Sequence, residues 1–289
     1  MSICAQILLA AVLSCTSSEL IQEWSRIASP AGGRVGAAAV LLETQSKMSL
    51  NSEERLPMQS VYKVPIVMAV LKRVEEGKLR LSQKIKLEAS DLPPTRVHSP
   101  IRDRHPNGIT LTLRELSRAA IVDSDGGASD ALLKLVPPSE VNQYLRGLGI
   151  NDLTVLNTEK ELAGDSRIQY RNWATPAAAI NLLRALYEGK GISGQNRSLL
   201  LSWMMATQTG VRRIRALLPR NAVVADKTGT SGTDNGLTAA TNDIAIVTLP
   251  NGQHMAIAVF ISDSKADQSV REGVIAKIAR ATWDCWSRK

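Results

Sequence analysis

The amino-acid sequence predicts an α+β fold in which one antiparallel sheet is built from both ends of the chain and an all-helical lobe lies between them. Runs with strand character occur at 35–42 and near Leu50, and they return only after residue 223. The intervening segment, about 60–205, carries apolar residues at helical spacing. Two lobes arranged in this way leave a cleft between them where a ligand can bind.

Composition is that of a soluble globular protein, long enough for a large core or for two lobes around one cleft. The chain has 289 residues, of which 44% are hydrophobic and 21% are charged. Its net charge is +8, but the basic residues are dispersed, and the densest group is Arg212, Arg213 and Arg215. Neither a nucleic-acid-binding module nor stacking aromatics accompany that group. We therefore expect no nucleic-acid partner, and an anionic small molecule is the better match to the excess charge.

Residues 1–15 predict a signal peptide. An apolar stretch from Ile7 to Leu13 is followed by small residues and is too short to span a bilayer, although the usual basic start is missing. Val12–Cys15 also resembles a bacterial lipoprotein cleavage site, at which Cys15 would be acylated. A first helix or a misassigned start is the alternative. We expect a periplasmic or secreted monomer, on the membrane only if Cys15 is lipidated. The thiol of Cys285 is expected to be packed or idle.

The helices are predicted from apolar periodicity and from the residues that start and stop them. The segment from Ser60 to Val74 is apolar nearly all round, and Pro65 is tolerated there only near the first turn. Gly77 then ends this helix. The other predicted helices are 19–28, 112–122, 128–135, 137–146, 176–187, 195–205 and 268–286. Between two of them, Asn157 to Ala174 is polar and aperiodic, which predicts a long loop of the kind that often carries function.

The later strands are predicted at 223–225, 243–249 and 254–261, where β-branched and apolar residues concentrate. The turn sequence Pro250–Gly252 joins the last two as a hairpin. No linker or internal repeat interrupts the chain. We therefore expect residues 16–289 to form a single domain, with the helical lobe of about 60–205 inserted in an α/β lobe.

A serine and a lysine three positions apart stand at the start of the first buried helix. Residues at i and i+3 share a helix face, so the ammonium group of Lys63 can approach the hydroxyl of Ser60. A serine hydroxyl becomes a nucleophile only when a neighbour accepts its proton. Alone, the pattern also fits a helix cap with a solvated lysine.

Two further polar motifs follow in the chain. Ser124-Asp125-Gly126 lies in a break between two predicted helices, and 227–231, Lys-Thr-Gly-Thr-Ser, closes a predicted strand. A basic residue and hydroxyls at a strand edge can hold a carboxylate, and glycine permits close approach. Each motif alone is a turn or a polar strand end.

In this order and at these separations, the three motifs resemble those of the class A serine β-lactamases, in the superfamily shared with penicillin-binding D,D-peptidases. Three stretches are similar to the PER-type cephalosporinases: GDSRIQYRNWATP at 164–176 in the loop that begins at Asn157, residues 231–252 after the third motif, and residues 99–108. The resemblance covers the chain from about Ile21 to the end. It implies the serine β-lactamase and D,D-peptidase fold, hydrolysis of penicillins or cephalosporins, and no metal or organic cofactor. The site residues that it implies are Ser60, Lys63, Ser124, Glu159 and Lys227 for catalysis, and Gly126, Thr228, Gly229, Thr230, Ser231 and Arg213 for substrate binding.

The resemblance also assigns roles in acylation. Ser60 would attack the β-lactam carbonyl, and its own N–H with that of Thr230 would form the oxyanion hole. Lys63 would act as the base or as a proton relay, which is an open question in the family. Ser124 would pass a proton to the leaving nitrogen, and Lys227 would orient Ser124. The hydroxyls of 228, 230 and 231 would grip the substrate carboxylate with help from Arg213, for which Arg212 and Arg215 are rivals.

Deacylation would depend on Glu159, which would activate the hydrolytic water. Glu161 becomes the alternative base if the register of the loop is shifted. Gly126 stands where the family usually has an asparagine that binds the substrate's acylamide, and Ala163 stands where an asparagine often fixes the water. The alternatives to a hydrolase are a D,D-peptidase and a penicillin receptor that is acylated but not released. The histidines at 98, 105 and 254 lack the spacing of a zinc site.

Overall fold

A five-stranded antiparallel sheet joins the two ends of the chain in the computed structural model, which describes residues 16–165 and 167–287. The leader predicted at 1–15 lies outside these residues. In chain order the α-helices are Ser17–Ala28 (α1), Lys63–Glu75 (α2), Pro100–Arg104 (α3), Leu113–Val122 (α4), Gly126–Leu135 (α5), Pro138–Gly147 (α6), Glu159–Leu162 (α7), Pro176–Tyr187 (α8), Gly194–Met205 (α9) and Gln268–Trp286 (α10). The strands are Arg34–Leu41 (β1), Lys47–Leu50 (β2), Leu56–Pro57 (β3), Lys84–Glu88 (β4), Gly108–Thr112 (β5), Leu153–Thr154 (β6), Trp173–Ala174 (β7), Val223–Thr230 (β8), Thr233–Asp234 (β9), Leu237–Thr238 (β10), Thr241–Thr248 (β11) and His254–Ser262 (β12).

The order of the sheet, β2-β1-β12-β11-β8, confirms that strands from both ends of the chain pair with one another. Arg34 of β1 lies opposite Ser262 of β12, and Thr241 of β11 lies opposite Thr230 of β8. The predicted hairpin between β11 and β12 is closed by a hydrogen bond from Leu249 N to Gln253 O at 2.8 Å. The fold class predicted from the sequence is therefore confirmed.

Each face of the sheet packs against its own group of helices, because successive side chains of a strand point to opposite faces. Ala38 and Val40 of β1 pack into the apolar cluster that contains α2, α4 and α8. Ala37 and Ala39 face the other way and pack with Trp24 of α1 and the tryptophans of α10. The sheet thus has two apolar faces, which explains why its strands read as continuous apolar runs in the sequence.

The start of the buried helix differs from the prediction. Residues Gln59–Tyr62 form a 3-10 turn, and the α-helix begins only at Lys63. Gln59 has a left-handed backbone, with φ of 49°, so the chain enters the helix through a tight turn rather than through an extended cap residue. Pro65 falls within the first turn, as predicted, and Gly77 follows the end of α2 with φ of 70°.

Several short elements were absent from the sequence-based prediction. Strands β4 and β5 form a two-stranded antiparallel sheet outside the main sheet. The predicted loop 157–174 contains α7, a 3-10 turn at Ile168–Arg171 and the strand β7. The strand predicted at 223–225 continues as β8 to Thr230. Pairing with β11 supplies the hydrogen bonds that let this polar strand end stay extended.

Two observations concern the chain ends and the membrane. Cys285 in α10 is buried, which confirms the packed alternative, and it is disulfide-bonded, so the alternative of an idle thiol was wrong. Among the described residues, no helix is long and apolar enough to cross a membrane.

Candidate active site

Ser60 and Lys63 lie one above the other on the 3-10 turn that leads into α2, because residues at i and i+3 eclipse in this type of helix. The ammonium group of Lys63 donates to Ser60 Oγ at 3.0 Å and to the Ser124 carbonyl oxygen at 2.7 Å. Lys63 is only 1% exposed. A buried cation that contacts the serine hydroxyl is well placed to exchange a proton with it.

Glu159 contacts the same lysine from the loop on the other side of the cavity. Its Oε1 lies 2.9 Å from Lys63 Nζ. Glu161 is occupied elsewhere, since its Oε2 accepts a hydrogen bond from Thr158 N at 2.8 Å and completes the cap of α7. The geometry therefore places Glu159, and not Glu161, at the lysine.

Lys227 and Ser124 form the second lysine–hydroxyl pair. Lys227 Nζ donates to Ser124 Oγ at 2.9 Å and to Thr228 O at 3.1 Å. Complete burial, followed by repulsion from the Lys63 ammonium, lowers the pKa of Lys227 to about 7. An anion that binds beside Lys227 would favour its ammonium form and so raise its pKa again.

The turn that carries Ser124 is held by Asp125, which is fully buried. The carboxylate of Asp125 accepts hydrogen bonds from Ile101 N at 2.7 Å and from Ala128 N at 2.8 Å, which caps α5. Ser99 Oγ donates to the same carboxylate at 3.0 Å. These bonds stabilise a backbone at Ser124 that is left-handed, with φ of 55°, and thereby fix the direction of its hydroxyl.

Of the three candidate arginines, Arg213 is the one that lines the cavity. Its Nη2 donates to Thr230 Oγ1 at 2.7 Å and its Nη1 to Asn242 O at 2.8 Å. Arg212 is exposed, and Arg215 forms an ion pair with Asp226 instead. A cavity of about 620 Å³ brings together all the proposed residues except Gly126, Gly229 and Lys227; the members of the predicted set that line it are Ser60, Lys63, Ser124, Glu159, Arg213, Thr228, Thr230 and Ser231.

The two glycines of the predicted set both lie where a side chain would collide with its neighbours. A Cβ at Gly229 would be 2.1 Å from the carbonyl oxygen of Met58, so β8 passes directly beside the turn of the nucleophile. A Cβ at Gly126 would be 2.5 Å from Val97 Cγ1 and 3.2 Å from Glu159 Cγ. Val97 and Glu159 therefore fill the space that a side chain at position 126 would need, so glycine in place of the family's asparagine does not leave an empty cavity.

Asp130 supports the site, although no sequence motif predicts it as a site residue. Its two carboxylate oxygens accept hydrogen bonds from Glu159 N at 2.7 Å and from Lys160 N at 3.0 Å, so it anchors the start of α7. Burial raises the pKa of Asp130 to about 7. An acidic residue on the buried face of an otherwise apolar helix was the available signal.

The arrangement has the parts of an acyl-serine hydrolase: a hydroxyl next to a buried lysine, a second lysine–serine pair, and a carboxylate on the opposite wall. Comparison with known proteins is more specific. The sequence model described as "Beta-lactamase enzyme family" matches residues 19–286, and the chain therefore belongs to the β-lactamase enzyme family.

Individual relatives agree over nearly the whole chain. The chain is 38% identical over 259 residues to "Beta-lactamase VEB-1" of Pseudomonas aeruginosa, covering 89% of this chain and 86% of the relative. It is 33% identical to "Extended-spectrum beta-lactamase PER-1" of the same organism, covering 86% and 81%. A β-lactamase structure from Chitinophaga pinensis DSM 2588 superposes with a TM-score of 0.90 at 45% identity, covering 92% and 98%. These relatives confirm the class A assignment predicted from the sequence.

Proposed function

We propose that this β-lactamase hydrolyses penicillins or cephalosporins through an acyl-enzyme on Ser60, with Glu159 activating the water that releases the product. The observation that carries the proposal is the position of Lys63 Nζ, 3.0 Å from Ser60 Oγ and 2.9 Å from Glu159 Oε1. One lysine thus connects the group needed for acylation with the group needed for deacylation. Residues 16–289 act as one catalytic domain in this proposal.

Acylation begins when Ser60 Oγ attacks the β-lactam carbonyl carbon and gives up its proton. Lys63 takes this proton as the neutral amine, after its own proton has moved to Glu159, or its ammonium group passes one proton to Glu159 as it receives the proton of Ser60; the contacts of Lys63 accommodate both routes. The backbone N–H groups of Ser60 and Thr230 stabilise the oxyanion. The C–N bond of the ring then breaks, and Ser124, held by Lys227, delivers its proton to the nitrogen. The proton taken from Ser60 passes to Ser124 in its place, which leaves Glu159 a carboxylate for the next step.

Deacylation requires a base that can reach a water molecule beside the ester. Glu159 lines the cavity together with Ser60, and its side chain is 13% exposed, so solvent can reach it. The carboxylate takes a proton from the water, the oxygen attacks the ester carbon, and Ser60 leaves with a proton returned through Lys63. A peptidase or a receptor would not need a base in this position.

The substrate carboxylate is bound at the end of the cavity where Arg213, Thr228, Thr230 and Ser231 meet. Arg213 donates to Thr230 Oγ1, which fixes that hydroxyl and adds positive charge behind it. Gly229 keeps β8 close to the nucleophile, and the absence of a side chain at Gly126 lets Val97, which lines the cavity, pack against the backbone there. This assignment selects Arg213 over Arg212 and Arg215.

A time course with a chromogenic cephalosporin tests the proposed function. Purified protein is expected to turn over many equivalents of the substrate at a steady rate. One stoichiometric burst with no further product would instead identify a receptor or a slow peptidase, and no reaction at all would overturn the proposal.

The value of kcat/KM is expected to fall as the pH rises above about 7. The ammonium form of Lys227 predominates below its pKa of about 7 and is lost above it, and only the charged form attracts the substrate carboxylate. The measurement compares a β-lactam acid with its neutral ester, which lacks the attracted charge. A falling limb that is the same for the two substrates would contradict the role of Lys227.

The substitution Asp130→Asn is expected to slow deacylation and to destabilise the fold by about 1–3 kcal/mol, because one of the two N–H donors keeps only a neutral acceptor and the other faces the NH2 group of the amide. Denaturant unfolding measures the stability, and quenched-flow mass spectrometry measures the lifetime of the acyl-enzyme. Asp284→Asn, at an exposed ion pair in α10, is the matched control. An unchanged acyl-enzyme lifetime would contradict the anchoring role of Asp130.

We also propose that the protein is an exported monomer. The apolar stretch from Ile7 to Leu13, which has the length of a signal-peptide core, supports export. Acylation of Cys15 would instead attach the exported protein to a membrane. Intact mass of the protein from each cell fraction, with and without reductant, separates these cases, and a lipid-modified mass in the membrane fraction identifies the anchored form.

A further inference from the structure

Two glutamine side chains join the turn of the nucleophile to the loop that carries Glu159. Gln59 comes directly before Ser60, and Gln169 lies in the 3-10 turn at Ile168–Arg171. The amide Nε2 of Gln59 donates to Gln169 Oε1 at 2.9 Å. We call this pair the glutamine clasp.

The backbone under the clasp is fixed from several sides. Gln59 has φ of 49°, a conformation that non-glycine residues adopt only when their surroundings impose it. Asn242 Nδ2 donates to the carbonyl oxygens of Pro57 at 2.8 Å and Met58 at 3.1 Å. Met58 N donates in turn to Asn172 O at 2.9 Å. The side chain of Gln59 is therefore presented from a rigid support, as binding groups generally are.

The clasp lines the cavity and retains hydrogen-bonding capacity. The clasp uses Nε2 of Gln59 and Oε1 of Gln169. The other two groups, Gln59 Oε1 and Gln169 Nε2, have no partner within residues 16–165 and 167–287. Exchanging the oxygen and nitrogen of both amides still leaves one donor and one acceptor. Gln59 and Gln169 are also the only two carboxamide side chains among the described residues that line the cavity.

Penicillins and cephalosporins carry an exocyclic acylamide, which needs one acceptor for its N–H and one donor for its C=O. The cavity offers cationic and hydroxyl groups where the substrate carboxylate would bind, and Gly126 has no side chain to offer. We propose that Gln59 and Gln169 bind the acylamide and acyl side chain of the substrate and thereby determine specificity. The proposal rests on the proposed β-lactam hydrolysis.

The test compares benzylpenicillin with 6-aminopenicillanic acid, which has the same nucleus and a free amine in place of the acylamide. The variant Gln59→Gly keeps the left-handed backbone accessible and removes the amide, and Gln169→Met keeps the length of the side chain. For each variant, kcat/KM on benzylpenicillin is expected to fall about tenfold, with a change of less than about twofold on 6-aminopenicillanic acid. Gln253→Ala, in the β11–β12 turn, is the control and leaves both values unchanged.

Each outcome decides the matter. Equal losses on the two substrates would show that the clasp only supports the fold, and no loss on either would remove it from substrate binding; both results overturn the proposal. Gln169→Met carries the test if Gln59→Gly fails to fold, because Gln169 does not have a left-handed backbone. A wild-type protein that does not turn over benzylpenicillin would contradict the proposed function itself, which is a different result from failure of the clasp.

Discussion

The substitution Ser60→Ala is expected to abolish the covalent β-lactam adduct and to lower kcat by roughly 10⁴-fold or more. The reason is geometric as well as chemical. Lys63 Nζ donates to Ser60 Oγ at 3.0 Å, and the variant leaves this lysine without a hydroxyl to deprotonate. Intact-mass analysis after mixing with a β-lactam detects the adduct, which should be present in the wild type and absent in the variant.

The control for this experiment is Ser198→Ala, at an exposed serine of α9 whose hydroxyl donates only to Gly194 O within its own helix. It should form the adduct and turn over substrate as the wild type does. Detection of a covalent adduct on Ser60→Ala would remove Ser60 as the nucleophile, whatever the effect on the rate.

The substitution Glu159→Gln is expected to trap the acyl-enzyme, lowering the deacylation rate by roughly 10²–10⁴-fold. An amide at this position cannot take a proton from water, whereas Ser60 and Lys63 remain able to form the ester. The result should be a stable mass increment that decays slowly after excess substrate is removed. Single-turnover kinetics followed by mass spectrometry measures both steps.

Glu161→Gln is the matched control, since Glu161 lies two positions away and caps α7 through Thr158. Glutamine keeps an oxygen that can accept from Thr158 N, so this variant should leave both the stability and the turnover close to those of the wild type. Normal steady-state hydrolysis by Glu159→Gln, together with a trapped adduct in Glu161→Gln, would reverse the assignment of the base.

Local sequence signals predicted the long helices well. Pro176 begins α8 directly after Thr175, whose hydroxyl accepts from Ala178 N, and the predicted bounds 176–187 match the structure. The ends of α10 were also predicted correctly, at 268 and 286. In these cases the start and stop signals and the apolar periodicity lie within the segment itself, so no distant contact is needed to locate it.

Elements that depend on distant partners were less predictable. The strand β4 has a polar, alternating sequence and lies at the edge of a two-stranded sheet, so its pairing with β5 has no strong local signal. The polar residues of β8 after Ala225 become a strand because β11 pairs with them. The 3-10 turn at Gln59 likewise depends on Asn242, which holds the carbonyl oxygens before it.

The same distinction applies to the site. Motifs with fixed spacing contain Ser60, Lys63, Ser124 and Lys227. The sequence alone therefore predicts these four as catalytic residues. Asp130 was missed because its partners are the backbone N–H groups of Glu159 and Lys160, which are 29 and 30 positions away. Every residue except proline has a backbone N–H, so a hydrogen bond to that group does not require a particular residue type and cannot be predicted from it.

The pairing of the first strand with the last also determines when the enzyme can become active during its synthesis. Arg34 and Asp263, which bond across the end of this pairing, are 229 positions apart. Contacts over such a distance form late, since a long segment must be ordered before they can close. A nascent chain that stops before β12 therefore contains Ser60 and its lysine but lacks the neighbouring strand on which β11, β8 and Lys227 depend.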